Sequence, residues 1–216
     1  MGDTNRPETG MTDRKDTYDR IAPWYDLLDW WFEWARYRAI RPRVFDPVAQ
    51  EPTLLDCGTG TGRNLPFYPT GAAVTAFDLS RRMLSRAKRR ARKLRPAVAY
   101  AQCDVGALPF AENRFSAATA TFLFCVLPDE SQSTALGEIR RVVRPGGRIV
   151  LLDYTLSEDP WRRRIMRIWG PWVRFAYGAA FDRDPEKHAR AVGLIVEDST
   201  YLYEDILRRL VLRVPV

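Results

Sequence analysis

The sequence predicts an α/β fold of the nucleotide-binding kind, and two stretches support that prediction. Residues 53–62 form a short apolar run that ends in Asp56 and is followed by Gly58, Gly60 and Gly62. Glycine accepts the backbone angles of a sharp turn, so this stretch predicts a buried strand that turns against a ligand. A second apolar run ends in Asp78, about 20 residues after the first glycine, where such folds place the acid that holds ribose hydroxyls.

The glycine spacing narrows the choice of ligand. The number of residues between the turn and Asp78 is by itself compatible with NAD, FAD and S-adenosylmethionine. A dinucleotide fingerprint of the form G-x-G-x-x-G requires a glycine at position 63, and this chain has Arg63 there. The sequence therefore disfavours a ligand with a pyrophosphate.

These residues match a family motif. The run from Asp56 to Gly62, with Asp78 and Asp104, resembles the class I S-adenosylmethionine-dependent methyltransferases, whose first motif is D/E-x-G-x-G-x-G. Residues 144–153, which begin R-P-G-G, resemble that family's turn into its fifth strand. The resemblance implies a doubly wound, Rossmann-like sheet of seven strands with an antiparallel last strand.

The resemblance also implies S-adenosylmethionine as cofactor, S-adenosylhomocysteine as product and no metal. Asp78 would hold the ribose, Met83 would pack on the adenine, and Asp104 would accept a hydrogen bond from the adenine amino group. The residues that the resemblance assigns to cofactor binding are Asp56, Gly58, Thr59, Gly60, Gly62, Asp78, Leu79, Met83, Asp104, Val105 and Thr121.

Composition sets the class of protein. A chain of 216 residues is long enough for one α/β domain with a proper core. Its net charge of +7 favours contact with polyanions, either nucleic acid or an anionic membrane surface. No apolar run approaches the length of a membrane span and no signal peptide is evident, so we expect a cytoplasmic protein that associates peripherally with the inner membrane surface.

The N-terminal region is predicted to have two parts. Residues 1–17 are polar and aperiodic, which is typical of a disordered tail. Residues 18–46 have tryptophans and aliphatic residues at helical spacing and are predicted to form amphipathic lid or membrane-contact helices. By resemblance to small-molecule methyltransferases, Tyr18 and Tyr25 lie near the reacting groups as catalytic residues; aromatic packing against the core is the alternative.

Residues 47–216 are predicted to form the methyltransferase domain. Strands are expected at 98–103 and 115–122, and a helix at 130–143. Residues 193–214 are expected to form two strands on either side of a helix. The only histidine in the sequence, His188, is expected to be solvated.

Two helical segments are rich in arginine. Nine of the fifteen positions from 81 to 95 are Arg or Lys, which indicates a solvated basic helix or a phosphate-binding one. Within a helical insertion at 158–181, tryptophan and isoleucine share one face and arginine the other. That arrangement is typical of a helix in a membrane interface, and packing on the domain is the alternative.

The favoured acceptor from sequence alone is phosphatidylethanolamine, together with its mono- and dimethyl derivatives. This expectation is based on the two segments rich in tryptophan and arginine, on the positive charge without a membrane span, and on a resemblance to soluble bacterial phosphatidylethanolamine N-methyltransferases. A quinone precursor, an alkyl thiol or another lipophilic small molecule is the alternative. Methylation of nucleic acid is less favoured, because residues 121–128 lack the N/D-P-P-Y/F sequence of base-amine methyltransferases. A non-catalytic lipid-binding module would have no reason to keep the glycine turn with Asp78 and Asp104.

Overall fold

A seven-stranded sheet organises the protein, as seen in a computed structural model that describes residues 37–94 and 98–216. The strands are β1 Thr53–Cys57, β2 Ala73–Asp78, β3 Val98–Gln102, β4 Phe115–Thr121, β5 Val143–Tyr154, β6 Ile195–Tyr203 and β7 Leu207–Arg213. Their order across the sheet is β3-β2-β1-β4-β5-β7-β6. The first five are parallel, and β7 runs antiparallel to both of its neighbours. The predicted Rossmann-like sheet with a reversed last strand is confirmed.

Six α-helices accompany the sheet in the described part of the chain. They are α1 Arg38–Ile40, α2 Pro42–Phe45, α3 Arg81–Leu94, α4 Asp129–Val142, α5 Pro160–Tyr177 and α6 Pro185–Ala191. None of the helices in these ranges is long and apolar enough to cross a membrane. The predicted tail at 1–17 and the part of the predicted lid up to residue 36 lie outside the described residues.

The core lies on both faces of the sheet, because successive residues of a strand point to opposite sides. Leu55 and Ile149 face a cluster that includes Leu136 and Ile139 of α4. Their neighbours in sequence face a second cluster, to which α2 contributes Val44 and Phe45. Every residue of β4 is buried, which places this strand at the centre of the molecule.

The order of strands determines where a ligand can bind. From β1 the chain moves outward to β2 and β3, and then returns to the other side of β1 to form β4 and β5. In doubly wound sheets, ligands bind at the carboxyl ends of the strands where this direction of winding changes. Here that point is the crevice between the ends of β1 and β4.

Two local predictions were wrong. Residues 193–214 contain no helix, because only three residues separate β6 from β7, and a turn in which Ile206 N donates to Tyr203 O joins the strands. The expected solvation of His188 is also wrong. Its Nδ1 lies 2.8 Å from the Ser133 hydroxyl and its Nε2 lies 3.0 Å from Asp129 Oδ1, so the ring joins α6 to α4.

Candidate active site

The turn after β1 depends on glycine for two different reasons. Gly58, Gly60 and Gly62 all have positive φ, at 68°, 55° and 79°. A Cβ on Gly62 would lie 2.7 Å from the Leu65 side chain and 3.0 Å from the Ala87 backbone, so this glycine permits close packing of the turn against α3. A Cβ on Gly60 would meet no atom of residues 37–94 or 98–216 within 4 Å, so open space lies beside the turn in this part of the chain.

Asp78 fixes the turn to the next strand. Gly60 N donates to Asp78 Oδ2 and Ser80 N donates to Asp78 Oδ1, each at 2.8 Å. The carboxylate therefore links the glycine turn to the residue that precedes α3. A carboxylate has several acceptor sites, to which both main-chain N–H groups and hydroxyl groups of a ligand can donate.

A buried polar network supports the turn from below. Asp56 is fully buried and accepts hydrogen bonds from Asn64 Nδ2 at 3.1 Å, the Tyr68 hydroxyl at 2.5 Å and the Thr119 hydroxyl at 3.2 Å. Arg41 Nη1 donates to Asn64 Oδ1 at 2.8 Å. Burial raises the pKa of Asp56 above its ordinary value, and these side-chain hydrogen bonds oppose that change.

A cavity of about 380 Å³ opens where the direction of winding changes. We call its first side the strand-end wall. This wall contains nine of the residues predicted to bind the cofactor, namely Gly58, Thr59, Gly60, Asp78, Leu79, Met83, Asp104, Val105 and Thr121. Asp56 and Gly62 are absent from the lining, and both lie beneath the turn, where they hold its shape.

Aromatic residues form the second side of the cavity, which we call the aromatic wall. The rings of Tyr37, Phe122, Tyr154 and Phe181 form a chain with centroids 5.1 to 5.4 Å apart. The hydroxyls of Tyr37 and Tyr154 contact each other. Phe122 has a φ of 55°, a strained conformation for a bulky residue, which places its ring at the centre of this chain.

The aromatic wall continues into an apolar lining. The residues that extend it are Leu123, Leu127, Met166, Trp172, Val173, Ile206 and Leu207. Arg41 also lies on the cavity surface, and its guanidinium carbon is 5.7 Å from the centre of the Phe122 ring. A cavity of this size with few polar groups suits a small organic molecule.

Sequence reasoning missed most of the aromatic wall. Tyr37, Phe122 and Tyr154 come from three distant parts of the chain, and their meeting depends on strand order. One signal was present: Phe122 directly follows the fully buried β4, where parallel strands deliver ligand-binding residues. The predicted catalytic residues Tyr18 and Tyr25 lie outside the described residues.

Asp153 supports the loop that carries part of the apolar lining. Its Oδ2 accepts hydrogen bonds from Phe124 N at 2.7 Å and Cys125 N at 3.1 Å, and its Oδ1 accepts one from Tyr154 N at 3.0 Å. Burial raises the pKa of Asp153 to about 6, and the hydrogen bonds from Cys125, Tyr154 and Phe124 oppose the increase. The shape of the loop therefore depends on a buried carboxyl.

Charges are distributed unevenly around the cavity. In the described ranges, the carboxylates on its surface are Asp78 and Asp104, both on the strand-end wall. Arg41 and Arg63 are the cations. Burial first, and then the charges of Asp104 and Asp78, raise the pKa of the Cys103 thiol to about 12. Residues 37–94 and 98–216 contain no group of three or more His, Cys, Asp and Glu side chains that could hold a metal ion.

Comparison with known proteins identifies the domain. A methyltransferase domain model matches residues 54–147. The demethylmenaquinone methyltransferase of Streptomyces avermitilis is 31% identical over 192 residues, which cover 88% of this chain and 76% of that protein. The phosphatidylethanolamine N-methyltransferase of Cereibacter sphaeroides is 35% identical over 103 residues, 47% of this chain and 50% of that protein.

Several other quinone methyltransferases are similar over a smaller part of their length. The aligned region spans 56% to 64% of their chains, at 35% to 37% identity. Among solved structures, the 1,6-didemethyltoxoflavin-N1-methyltransferase of Burkholderia thailandensis superposes with a TM-score of 0.70 at 19% identity. That match covers 100% of this chain and 94% of the other and shows the fold.

S-adenosylmethionine is the cofactor of this family, and the strand-end wall fits it. The open space beside Gly60 allows a ligand to approach the main chain, and Asp78 offers carboxylate oxygens at the edge of that space. Asp104 and Met83 lie on the same wall. The glycine turn, the strand order and the relatives together show that the chain belongs to the class I S-adenosylmethionine-dependent methyltransferases.

Proposed function

We propose that the chain methylates a lipophilic aromatic acceptor of the quinol class, such as a quinone precursor. The observation that carries this proposal is the aromatic wall, in which Tyr37, Phe122, Tyr154 and Phe181 line the cavity together. Flat rings bind well between aromatic faces in offset or edge-to-face contact. The apolar lining beyond them suits the hydrocarbon chain of a lipophilic substrate.

The charges around the cavity favour an oxygen-bearing ring over an amine. In the part of the chain that the structure describes, the aromatic wall has Arg41 nearby and no carboxylate of its own. A nearby cation lowers the pKa of a phenolic hydroxyl because it stabilises the phenolate. The same cation opposes the approach of a protonated amine.

The residues of this chain would perform three tasks. The apolar lining excludes water, and the rings of the aromatic wall orient the acceptor toward the strand-end wall. The Tyr37 and Tyr154 hydroxyls line the cavity in contact with each other, and they would donate hydrogen bonds to a phenolate oxygen of the bound acceptor. Bound S-adenosylmethionine supplies an electrophilic methyl group. We retain Tyr18 and Tyr25 as proposed acceptor-side residues on the basis of family likeness.

Individual cofactor contacts are proposed on the same basis. Asp78 would accept from the ribose hydroxyls, Asp104 from the adenine amino group, and Met83 would pack on the adenine ring. Leu79, Val105 and Thr121 would complete the strand-end wall around the cofactor.

Phosphatidylethanolamine is the second candidate acceptor. Sequence alone favours it, and a named phosphatidylethanolamine N-methyltransferase is among the relatives. The quinone methyltransferases match a larger part of this chain, up to 88% compared with 47%. We therefore rank the quinol first.

The test is a transfer assay with the full chain and methyl-labelled S-adenosylmethionine. One reaction contains a reduced naphthoquinol that bears a prenyl chain and lacks its ring methyl group, and another contains phosphatidylethanolamine vesicles. We expect label in the quinol. Tyr154→Phe should lower kcat/KM for the quinol by about fivefold, the value of one net hydrogen bond. Tyr201→Phe, at an exposed tyrosine of β6, is the matched control.

Label in the phospholipid alone would replace the first candidate with the second. Label in neither acceptor, with cofactor binding verified by calorimetry, would contradict both.

A further inference from the structure

One face of α5 is exposed and strongly apolar. The helix begins after Asp159, whose side chain accepts from Arg162 N at 2.8 Å, and ends at Gly178, whose φ is 68°. Met166 is buried against the domain, whereas six large apolar side chains of the same helix are exposed. Their exposed fractions are Trp161 69%, Ile165 41%, Ile168 67%, Trp169 57%, Trp172 51% and Phe175 81%.

These six residues form one surface, which we call the α5 apolar face. At 100° per residue on a helical wheel they lie within about 120° of arc, the width of one side of a helix. Trp169 and Trp172 pack edge to face, with ring centroids 6.1 Å apart. An exposed cluster of this kind indicates a surface that contacts a partner or a membrane.

Arginines along one flank of this face specify the partner. Arg164, Arg167 and Arg174 are exposed and lie side by side on the helical wheel. The helix contains no acidic residue, and the whole chain has a net charge of +7. Tryptophan with flanking arginine matches the interface of an anionic bilayer, where indoles lie at headgroup depth and guanidiniums meet phosphates.

The α5 apolar face continues into the cavity. Trp172 belongs to both, and its neighbour Val173 and the buried Met166 also line the cavity. A helix that lies in the bilayer surface along this face would hold the cavity against the membrane. An acceptor dissolved in the bilayer could then reach the cavity without crossing water.

We infer that the α5 apolar face docks on the surface of an anionic lipid bilayer and admits the lipophilic acceptor from it. The inference of docking is based on the exposed face and its arginines. The inference that an acceptor enters from the bilayer rests on the proposed function. Two other occupants would bury the same face: the tryptophan-containing residues 1–36 of this chain, or a second copy of the protein.

The experiment measures binding of the full chain to vesicles in the absence of any acceptor. Vesicles of phosphatidylcholine with phosphatidylglycerol are compared with pure phosphatidylcholine by sedimentation. The test variant is Ile168→Ser with Trp169→Ser, since neither residue lines the cavity. The matched control is Ile195→Ser with Tyr201→Ser, which removes two exposed apolar side chains from β6.

We expect the wild type and the control to bind the anionic vesicles, and the test variant to lose at least about tenfold in partitioning. Arg164→Gln with Arg167→Gln should reduce the preference for the anionic lipid and its sensitivity to salt. Cofactor affinity should be equal in all variants. Because no acceptor is present, this result is independent of which acceptor is methylated.

Three outcomes would overturn the inference. One is full retention of vesicle binding by the test variant. Another is no vesicle binding by the wild type together with a lower unfolding temperature of the test variant, which would mean that residues of the same chain cover the face. The third is a wild-type dimer in light scattering that the test variant abolishes, with no vesicle binding by either protein.

Discussion

The strand-end wall of the cavity is held by the main chain, whereas the aromatic wall is held by side chains. On the first, Asp78 accepts hydrogen bonds from two backbone N–H groups, and glycines set the path of the turn. On the second, the Tyr154 ring of β5 and rings from the segments before α1, after β4 and after α5 meet through edge-to-face and tilted contacts. Backbone geometry tolerates little variation, while aromatic packing can change with each substitution. The strand-end wall therefore depends on a few backbone positions, and the aromatic wall depends on which side chains are present.

The largest effect should come from closing the space beneath the strand-end wall. Gly62→Ala combines a positive φ with a Cβ 2.7 Å from Leu65 and 3.0 Å from the Ala87 backbone. Left-handed strain costs about 1–2 kcal/mol and overpacking about 1–3 kcal/mol. We therefore expect the free energy of unfolding to fall by about 2–5 kcal/mol in chemical denaturation.

Gly60→Ala is the matched control for that change. Its φ is also positive, but its Cβ would meet no atom of the described residues within 4 Å, so only about 1–2 kcal/mol of strain is expected. The affinity of the Gly60→Ala variant for the cofactor should fall by more than the loss of folded protein can account for. Equal stability losses for the two variants would show that packing against α3 does not hold the turn.

The next effect separates the two walls by cofactor affinity. Asp78→Asn removes the charge while it keeps the shape of the side chain, and we expect binding of S-adenosylhomocysteine to weaken by about 10- to 100-fold, the range of a charge-assisted hydrogen bond. Tyr154→Phe on the aromatic wall should change that affinity by less than about twofold. Calorimetry measures both. A comparable loss in the two variants would mean that the walls do not act separately.

The smallest expected effect concerns Asp153, which supports the loop beside the aromatic wall, and it is measured as a change in the free energy of unfolding with pH. Because burial raises the pKa of Asp153 to about 6 from an ordinary value of 3.8, the folded protein binds more protons than the unfolded chain between those pH values. The contribution of Asp153 to stability therefore increases as the pH falls from 7 to 5, by about 1 kcal/mol. Above pH 7 the buried charge is unfavourable to folding.

Asp153→Asn should remove this dependence. The difference in unfolding free energy between wild type and variant, measured by denaturation at pH 7 and at pH 5, should change by about 1 kcal/mol. A difference that is constant across this range would show that Asp153 titrates with an ordinary pKa.

The contrast between the walls also explains what sequence could predict. The turn from Gly58 to Gly62 and the acid at Asp78 lie within the short segment from β1 to the end of β2, so local spacing determines both. The reversed β7 follows from the family resemblance. The hydrogen bonds that hold the glycine turn and Asp78 join residues at most 18 positions apart in the sequence.

The aromatic wall could not be predicted in this way. Tyr37 and Tyr154 are 117 positions apart, and they meet because β5 lies two strands from β1 and α1 packs on the same face. The prediction that His188 is solvated was wrong for a similar reason, since its partners Ser133 and Asp129 lie on a helix 55 and 59 positions away. The prediction of a helix near the end of the chain was wrong because a segment with both apolar and basic residues can form either a helix or a strand. Pairing of β7 with β5 determines that it forms a strand.

The outer strand β6 has a consequence for the behaviour of the protein at high concentration. It is an edge of the sheet with nine residues, long enough to recruit a strand from another molecule. Its pairing with β7 is interrupted by register shifts at Val196/Asp198 and Tyr201/Tyr203, and Glu197 and Asp198 place charged side chains along it, in ion pairs with Arg148 and Arg209. Bulges and charges at an edge oppose the growth of a sheet across molecules. The edge strand β6 is thus protected against pairing with other molecules, whereas the α5 apolar face is suited to contact with another surface.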